Sequence, residues 1–261
     1  MGENVNTRKK WVIKLGTGIL TNPRQHHDLP QIKNLVKQFA RLARQHNIDP
    51  VIVSSSAICG GMTVLGMKTR PTALAEKQAC AAIGQVKLMS YYEEFFSEHG
   101  LHVAQVLLTH PDIDSRSRSA NARNTMDRLI SHGIVPIINE NDTVAVDEIK
   151  FGDNDRLSAS VASLIDADLL VILTSADGLL TSLGKKGVLI NVVEKITPEI
   201  RALAGGTQSE TSVGGMISKI DAAQSAVDHG IPVVIANGRT KGILEQIASG
   251  KPVGTKFLTQ K

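Results

Sequence analysis

The sequence predicts an α/β protein: a three-layer αβα sandwich with a central, mainly parallel sheet, forming two lobes within one domain. Short runs of Val, Ile and Leu alternate with longer segments whose apolar residues recur at helical spacing. The chain of 261 residues is 42% hydrophobic but only 3% aromatic, which suits an aliphatic sheet covered on both faces. Because no linker or low-complexity tract divides the chain, we expect one domain rather than two.

The first half alternates strands and helices. The run KWVIKLG is a continuous apolar strand that ends in a glycine turn. Strands are predicted at 10–16, 50–56, 101–109 and 134–139. Helices are predicted at 30–47, after 56 with irregularity from its glycines, at about 71–99, at 119–133 and at 154–165, with a hairpin-like segment at 143–151. Strands separated by helices of this length are typical of a parallel sheet, whose ligands bind at the carboxyl ends of the strands.

The second half repeats this alternation more loosely. Strands are predicted at 168–174, 188–193, 231–237 and near 254–258, and helices from the GGMISK run onward and at 241–248. The lobe boundary is expected near residue 165, which gives lobes of about 8–165 and about 166–259.

Composition excludes several classes of protein. The net charge of +4 is scattered, and its two basic clusters contain no interleaved aromatic residues, so no nucleic-acid partner is expected. No run of 18 apolar residues occurs, and the N-terminus lacks the apolar core of a signal peptide, so we expect a cytoplasmic protein with no membrane partner. Cys59 and Cys80 lack metal-like spacing and are interpreted as buried, reduced thiols.

Glycine-rich and hydroxyl-rich turns follow the first two strands. In KLGTGIL, Gly16 allows the backbone to approach an anion and Lys14 supplies a positive charge, although an ordinary strand–turn–helix corner explains the pattern equally well. No P-loop pattern occurs anywhere in the chain. The serines at 54–56 are either ligand-binding hydroxyls or helix caps.

A second glycine-rich turn opens the helix that contains Lys219. Two glycines leave free N–H groups for phosphate oxygens, and Lys219 lies about one turn inside the helix. A solvated lysine is the alternative, but at the positive end of a helix a lysine is unfavourable unless an anion binds there.

Acidic and amide side chains are concentrated between residues 139 and 155, where such groups are costly unless a cation or hydrogen-bonding ligand satisfies them. The members are Asn139, Glu140, Asn141, Asp142, Asp153, Asn154 and Asp155. Together with the two lysines they predict phosphoryl transfer, in which lysines neutralise phosphate oxygens, an acid holds metal or orients the lysines, and amides bind the acceptor.

Six motifs give the chain a resemblance to glutamate 5-kinases of the amino acid kinase superfamily over about residues 10–258. They are WVIKLGTGILT, VIVSSSAICGG, KQACAAIGQVKLM, AQVLLT, NARNTMDRLISHGIVPIINENDTVAVDEIKFGDNDRLSA and SVGGMISKIDAA. The resemblance implies an amino acid kinase domain at 8–259, with an acceptor-binding and a nucleotide-binding lobe. It also implies ATP-dependent phosphorylation of the γ-carboxylate of L-glutamate, the first step of proline biosynthesis.

The resemblance also implies site residues. It assigns catalysis to Lys14, Lys219 and Asp155, and it assigns acceptor binding to Ser55, Asp142 and Asn154. Nucleotide binding falls to Lys14, Gly16, Thr174, Ser175, Val213, Gly214, Gly215, Met216, Ile217, Ser218 and Lys219. ATP enters as co-substrate with Mg²⁺, and no residue is assigned as a metal ligand. Feedback by L-proline and a homo-oligomer, dimer or tetramer, are further implications.

The chain departs from the family pattern at three positions. Ser56 stands where glycine is usual, Ser175 where an aspartate is usual, and Ser212–Val213 where Gly-Thr is usual. Two alternatives therefore stay open: a related kinase with another acceptor, and a catalytically weak protein that binds nucleotide or amino acid. Many family members carry a C-terminal RNA-binding-like PUA domain, and this length implies the form without it.

Overall fold

The computed structural model describes residues 8–145, 154–182, 187–205 and 215–260. Its strands are β1 Lys9–Leu15, β2 Ile48–Val53, β3 Val103–Leu108, β4 Val135–Glu140, β5 Leu169–Thr174, β6 Val192–Val193, β7 Val233–Asn237 and β8 Thr255–Phe257. Its helices are α1 Thr17–Leu20, α2 Leu29–Gln45, α3 Ala57–Val64, α4 Leu74–Ser97, α5 His110–Asp114, α6 Arg116–Ser131, α7 Asn154–Leu164, α8 Pro198–Leu203, α9 Met216–Asp228 and α10 Ile243–Ala248.

The strands form one eight-stranded sheet in the order β3-β4-β2-β1-β5-β7-β8-β6. Every pair is parallel except β7 with β8, which confirms the predicted mainly parallel sheet. From β1 the chain forms β2, then β3 at the edge of the sheet, then β4 between them, and it returns to the other side of β1 as β5. Such a reversal opens a crevice at the carboxyl ends of the two neighbouring strands, here β1 and β5.

Helices cover both faces of the sheet. Val12 of β1 belongs to a buried cluster that includes Leu157 of α7 and Ile220 of α9. The next residue, Ile13, points to the other face and joins a cluster with Phe39 of α2 and residues of α4. Because alternate strand residues are buried against helices on opposite faces, the predicted three layers are confirmed.

Two features of the fold differ from the sequence-based prediction. The strand expected at 188–193 is only Val192–Val193, at the edge of the sheet, where Val192 is half exposed. The helices α1, α5 and α8 were not predicted, because four to six residues are too few to display a helical period. The hairpin-like segment predicted at 143–151 lies mostly outside the described residues.

The start of α3, which follows the serine-rich turn, is fixed by close packing on α4. A Cβ added to Gly84 of α4 would lie 1.7 Å from the carbonyl oxygen of Ala57, the first residue of α3. A Cβ added to Gly61 of α3 would lie 2.0 Å from the carbonyl oxygen of Cys80. The glycines therefore let the two backbones touch, and this contact sets the position of the turn at residues 54–56.

We expect Gly84→Ala to lower the free energy of unfolding by about 3 kcal/mol, because the new methyl group overlaps a backbone carbonyl that cannot rotate away. In an open helix the same change would stabilise by about 1 kcal/mol, so the sign of the effect is diagnostic. Urea unfolding measures it. Gly133→Ala is the control, because its added Cβ meets nothing within 4 Å and only its φ of +71° costs energy. A Gly84→Ala protein as stable as wild type would contradict the close packing.

Candidate active site

Three distant parts of the chain bring charged side chains together at the carboxyl edge of the sheet. Lys14 lies near the end of β1, Asp155 in the first turn of α7, and Lys219 in the first turn of α9. The Lys14 Nζ is 2.7 Å from Asp155 Oδ1, and the Lys219 Nζ is 3.0 Å from Asp155 Oδ2. The three residues predicted to be catalytic therefore form one cluster, with one ammonium group on each carboxylate oxygen.

The cluster is almost completely buried. Lys14, Asp155 and Lys219 expose only 5%, 1% and 6% of their surface. Burial alone raises the pKa of Asp155, but the positive charges of Lys14 and Lys219 outweigh it, with help from a hydrogen bond from Ser218. The net result lowers the pKa of Asp155 from 3.8 to about 2, so the carboxylate is ionised at neutral pH. Two ammonium groups against one carboxylate leave a net positive charge, which favours an anion beside the cluster.

Ser218 supports the same carboxylate. Its Oγ donates to Asp155 Oδ2 at 2.7 Å and lies 2.9 Å from the carbonyl oxygen of Gly215, at the start of α9. Sequence reasoning placed Ser218 among the nucleotide-binding residues and missed this contact with Asp155. No sequence signal links two residues 63 positions apart.

The first glycine turn lies directly beside the lysine cluster. The Gly16 N–H donates to the carbonyl oxygen of Leu173 at 3.1 Å, and a Cβ at Gly16 would lie 3.7 Å from the Lys14 Nζ. A Cβ at Gly18 would lie 3.9 Å from the Ser175 Oγ. The turn after β1 and the end of β5 therefore share one wall of the crevice.

The predicted nucleotide-binding residues come from two elements. Thr174 ends β5 and Ser175 follows it, while Gly215, Met216, Ile217, Ser218 and Lys219 form the start of α9. Val213 and Gly214 lie outside the described residues. The first N–H groups of this 13-residue helix lack intrahelical partners, so they suit phosphate oxygens.

Asn154 joins the acceptor-side turn to β4. Its Nδ2 lies within hydrogen-bond distance of three acceptors: the Ser54 carbonyl oxygen at 2.8 Å, the Ser55 Oγ at 3.0 Å and the Asn139 Oδ1 at 3.0 Å. Ser55 and Asn154, two predicted acceptor-binding residues, are therefore in contact. Since α7 begins with Asn154 and Asp155, the first residue contacts the turn at residues 54–55 and the second contacts the two lysines.

Asp142 is the third predicted acceptor-binding residue. It lines a cavity of about 230 Å³ at the end of β4. Ala57, Gln85, Gln105 and Glu140 line the same cavity. Asn139 connects the two places, because its Nδ2 donates to the Gln85 Oε1 at 2.9 Å while its Oδ1 accepts from Asn154.

Ser56 adopts a conformation that explains why glycine is usual at its position. Its φ of +79° and ψ of 11° place it in the left-handed region, which strains a residue with a side chain. Its Oγ is buried and has no hydrogen-bond partner among the described residues.

His27 contacts this turn and was missed by sequence reasoning. Its Nε2 lies 3.1 Å from the Ser56 carbonyl oxygen, and burial lowers the pKa of His27 below 6.5. The ring is therefore neutral at pH 7 and donates from Nε2, because a carbonyl oxygen only accepts.

Asn139 and Gln85 were also missed as site residues, although both stood in motifs that the sequence singled out. Asn139 belongs to the acidic and amide cluster, and Gln85 to KQACAAIGQVKLM. Side-chain contacts between β4 and α4 give no periodic signal, so only the structure reveals them.

In the described part of the chain, no helix is both long and apolar enough to span a membrane.

The lowered pKa of Asp155 predicts an acid-dependent loss of stability. A carboxyl group whose pKa is lower in the folded state stabilises the protein above its unfolded pKa, and this contribution disappears as pH falls from about 5 towards 2. We expect the unfolding free energy of wild type to exceed that of Asp155→Asn at pH 6, and this gap to narrow by roughly 2–3 kcal/mol by pH 2. Urea unfolding across this pH range measures the gap.

The control for this experiment is Asp114→Asn, which changes an exposed aspartate at the end of α5. At pH 6 its free energy of unfolding should stay closer to that of wild type than the free energy of Asp155→Asn does, because only an exposed side chain is replaced. A gap between wild type and Asp155→Asn that stays constant from pH 6 to pH 2 would contradict the lowered pKa.

Comparison with known proteins gives a match to a family model and matches to individual relatives. The family model described as the amino acid kinase family matches residues 9–237. The glutamate 5-kinase of Moorella thermoacetica is 49% identical over 256 residues, which cover 97% of this chain and 68% of that protein. The glutamate 5-kinase of Clostridium acetobutylicum is 45% identical over 264 residues, covering 97% of this chain and 98% of that protein. The chain belongs to the amino acid kinase family, and the relatives it resembles are glutamate 5-kinases.

Proposed function

We propose that this protein phosphorylates L-glutamate on its γ-carboxylate with ATP, forming L-glutamate 5-phosphate, the first step of proline biosynthesis. A γ-carboxylate oxygen attacks the γ-phosphorus of ATP. The bond from that phosphorus to the bridging oxygen breaks, and ADP leaves with the electron pair. The observation that carries the proposal is the buried pair of lysines on Asp155 at the carboxyl ends of the strands. The names of the relatives support the choice of acceptor.

The central difficulty of this reaction is that an anion approaches a polyanion. Lys14 and Lys219 offset the charge on the transferring phosphoryl oxygens, and Asp155 keeps both ammonium groups in place. No proton has to be removed before attack, because a γ-carboxyl group with a solution pKa of about 4.3 is already ionised at pH 7. His27 is consistent with this account, since its Nε2 is bonded to a backbone carbonyl rather than turned to a substrate.

The nucleotide is proposed to lie across the start of α9 and the end of β5. Gly16, Thr174, Ser175 and residues 215–219 are proposed to line its path, while the predicted Val213 and Gly214 lie outside the described residues. The described residues contain no group of three or more His, Cys, Asp or Glu side chains that could hold a metal ion. Mg²⁺ is proposed to enter together with ATP, because this ion keeps several waters and uses few protein ligands.

The acceptor is proposed to contact Ser55, Asp142 and Asn154. Protein acceptors already surround the Asn154 Nδ2, so the Oδ1 of this residue is the atom suited to a ligand. An amide oxygen accepts hydrogen bonds, as does the Asp142 carboxylate. Both residues are therefore suited to the α-ammonium group of an amino acid.

Inhibition by L-proline, assembly as a homo-oligomer and a cytoplasmic location stay predictions.

The direct test is ADP release by the purified protein with ATP, Mg²⁺ and L-glutamate, together with trapping of the labile acyl phosphate as a hydroxamate. We expect glutamate-dependent ADP release and γ-glutamyl hydroxamate in equal amounts. ATP and glutamate binding without turnover would instead indicate a regulatory protein. Turnover with another carboxylate, phosphate or carbamate acceptor and not with glutamate would indicate a related kinase.

Lys219→Ala should lower kcat by about 100- to 1,000-fold, because one cation facing the developing charge is lost. The KM for glutamate should change little, since Lys219 lies on the nucleotide side of Asp155. Lys251→Ala removes an exposed lysine and serves as the control. A folded Lys219→Ala enzyme with nearly normal kcat would overturn the assignment.

Asp142→Ala should raise the KM for glutamate by about tenfold or more and leave the KM for ATP nearly unchanged, because it removes an ionised partner of the α-ammonium group. Steady-state kinetics with each substrate varied in turn measures the two constants. Asp114→Ala is the matched control on an exposed helix. Equal effects on both KM values would count against a role in acceptor binding.

A further inference from the structure

Four side-chain amides form a continuous hydrogen-bonded chain from the acceptor side of the active site to the edge of the sheet. The Asn154 Nδ2 donates to the Asn139 Oδ1, and the Asn139 Nδ2 donates to the Gln85 Oε1. The Gln85 Nε2 then donates to the Gln105 Oε1 at 3.0 Å. The chain thus links α7, β4, α4 and β3.

Two backbone groups fix the direction of every bond in this chain. The Glu140 N–H can only donate, and it donates to the Asn139 Oδ1 at 2.9 Å. The Ser54 carbonyl can only accept, and it accepts from the Asn154 Nδ2 at 2.8 Å. Asn139 must therefore present its Nδ2 to Gln85, and Gln85 must present its Nε2 to Gln105.

The direction of the chain determines what Gln105 offers to a ligand. Its Oε1 accepts one hydrogen bond from Gln85, and its Nε2 supplies the N–H donors that a ligand carboxylate needs, because an amide nitrogen only donates. Gln105 is exposed and lines the 230 Å³ cavity together with Gln85, Glu140 and Asp142. The cavity therefore combines amide N–H donors with carboxylates, which matches the carboxylate and ammonium groups of an α-amino acid.

We propose that Gln105 is a specificity-determining residue that donates a hydrogen bond to the α-carboxylate of the acceptor, and that Gln85 positions it. The amino acid head then lies in the cavity, with its γ-carboxylate directed towards Ser55 and the lysine cluster. This inference rests on the proposed glutamate kinase function and adds that the cavity recognises the α-carboxylate of the acceptor. A purely structural fastening of β3 to α4 is the competing explanation for the two glutamines.

The test compares L-glutamate with L-isoglutamine, which keeps the γ-carboxylate and replaces the α-carboxylate by an uncharged amide. Gln105→Met removes the donor at similar size. We expect Gln105→Met to weaken glutamate binding by about tenfold or more and isoglutamine binding by less. The reason is that a hydrogen bond to a charged carboxylate is stronger than one to a neutral amide. Dissociation constants from calorimetry measure both ligands, and thermal unfolding checks the fold.

Gln105→Glu sharpens the comparison. The new carboxylate still accepts from the Gln85 Nε2, so the amide chain stays intact while the donor becomes an anion. We expect the preference for glutamate over isoglutamine to disappear or reverse. Gln45→Glu places the same charge change at the exposed end of α2 and should alter neither constant.

A Gln105→Met protein that binds glutamate within twofold of wild type would overturn the proposal, as would equal weakening of both ligands. Failure of the proposed function is a separate result, because wild type would then show no glutamate-dependent ADP release, whatever the Gln105 variants do to the dissociation constants.

Discussion

The pairing of the buried Asp155 carboxylate with two lysines is the interaction on which the candidate active site depends. The carboxylate holds two ammonium groups that come from the first strand and from a helix more than 200 residues later. Without it, two nearly buried lysines would repel each other in a medium of low dielectric constant. With it, the cluster is stable and still carries a net positive charge. A centre of this kind is preorganised for phosphate, because its charges need not move when the anion arrives.

The start of α7 couples this centre to the acceptor side. Asn154 and Asp155 are consecutive, so one helix turn directs an amide to the Ser54–Ser55 turn and a carboxylate to the lysines. Two contacts fix the position of the Ser54–Ser55 turn. One is the packing of α3 on α4, and the other is the 2.8 Å hydrogen bond between the Ser54 Oγ and the Tyr92 hydroxyl. In the proposed reaction, rigid elements would thereby position the two reacting groups, which favours the alignment that phosphoryl transfer requires.

Much of this arrangement follows from sequence because strands, helices and their terminal motifs are local patterns. Continuous apolar runs predicted the parallel sheet, and polar turns at strand ends predicted a ligand site at its carboxyl edge. The meeting of Lys14 and Lys219 at Asp155 was implied by the family resemblance. Contacts that depend on side-chain direction could not be predicted. Examples are the Ser218 hydroxyl turned to Asp155 and the bond from Asn139 to Gln85, since neither leaves a periodic trace. The short strand β6 was overestimated for a related reason: Val188 and Val192 resemble strand residues locally but are exposed.

A double-variant cycle on turnover tests most directly whether Asp155 acts through the lysines. The kcat values of Asp155→Asn, Lys219→Ala and the combined variant are compared with wild type, with unfolding monitored for each protein. If Asp155 serves to hold Lys219 and Lys14 against the phosphates, the combined variant loses little more than the more damaged single variant. Losses that multiply would show that Asp155 and Lys219 act independently, and would contradict the central role of the shared carboxylate.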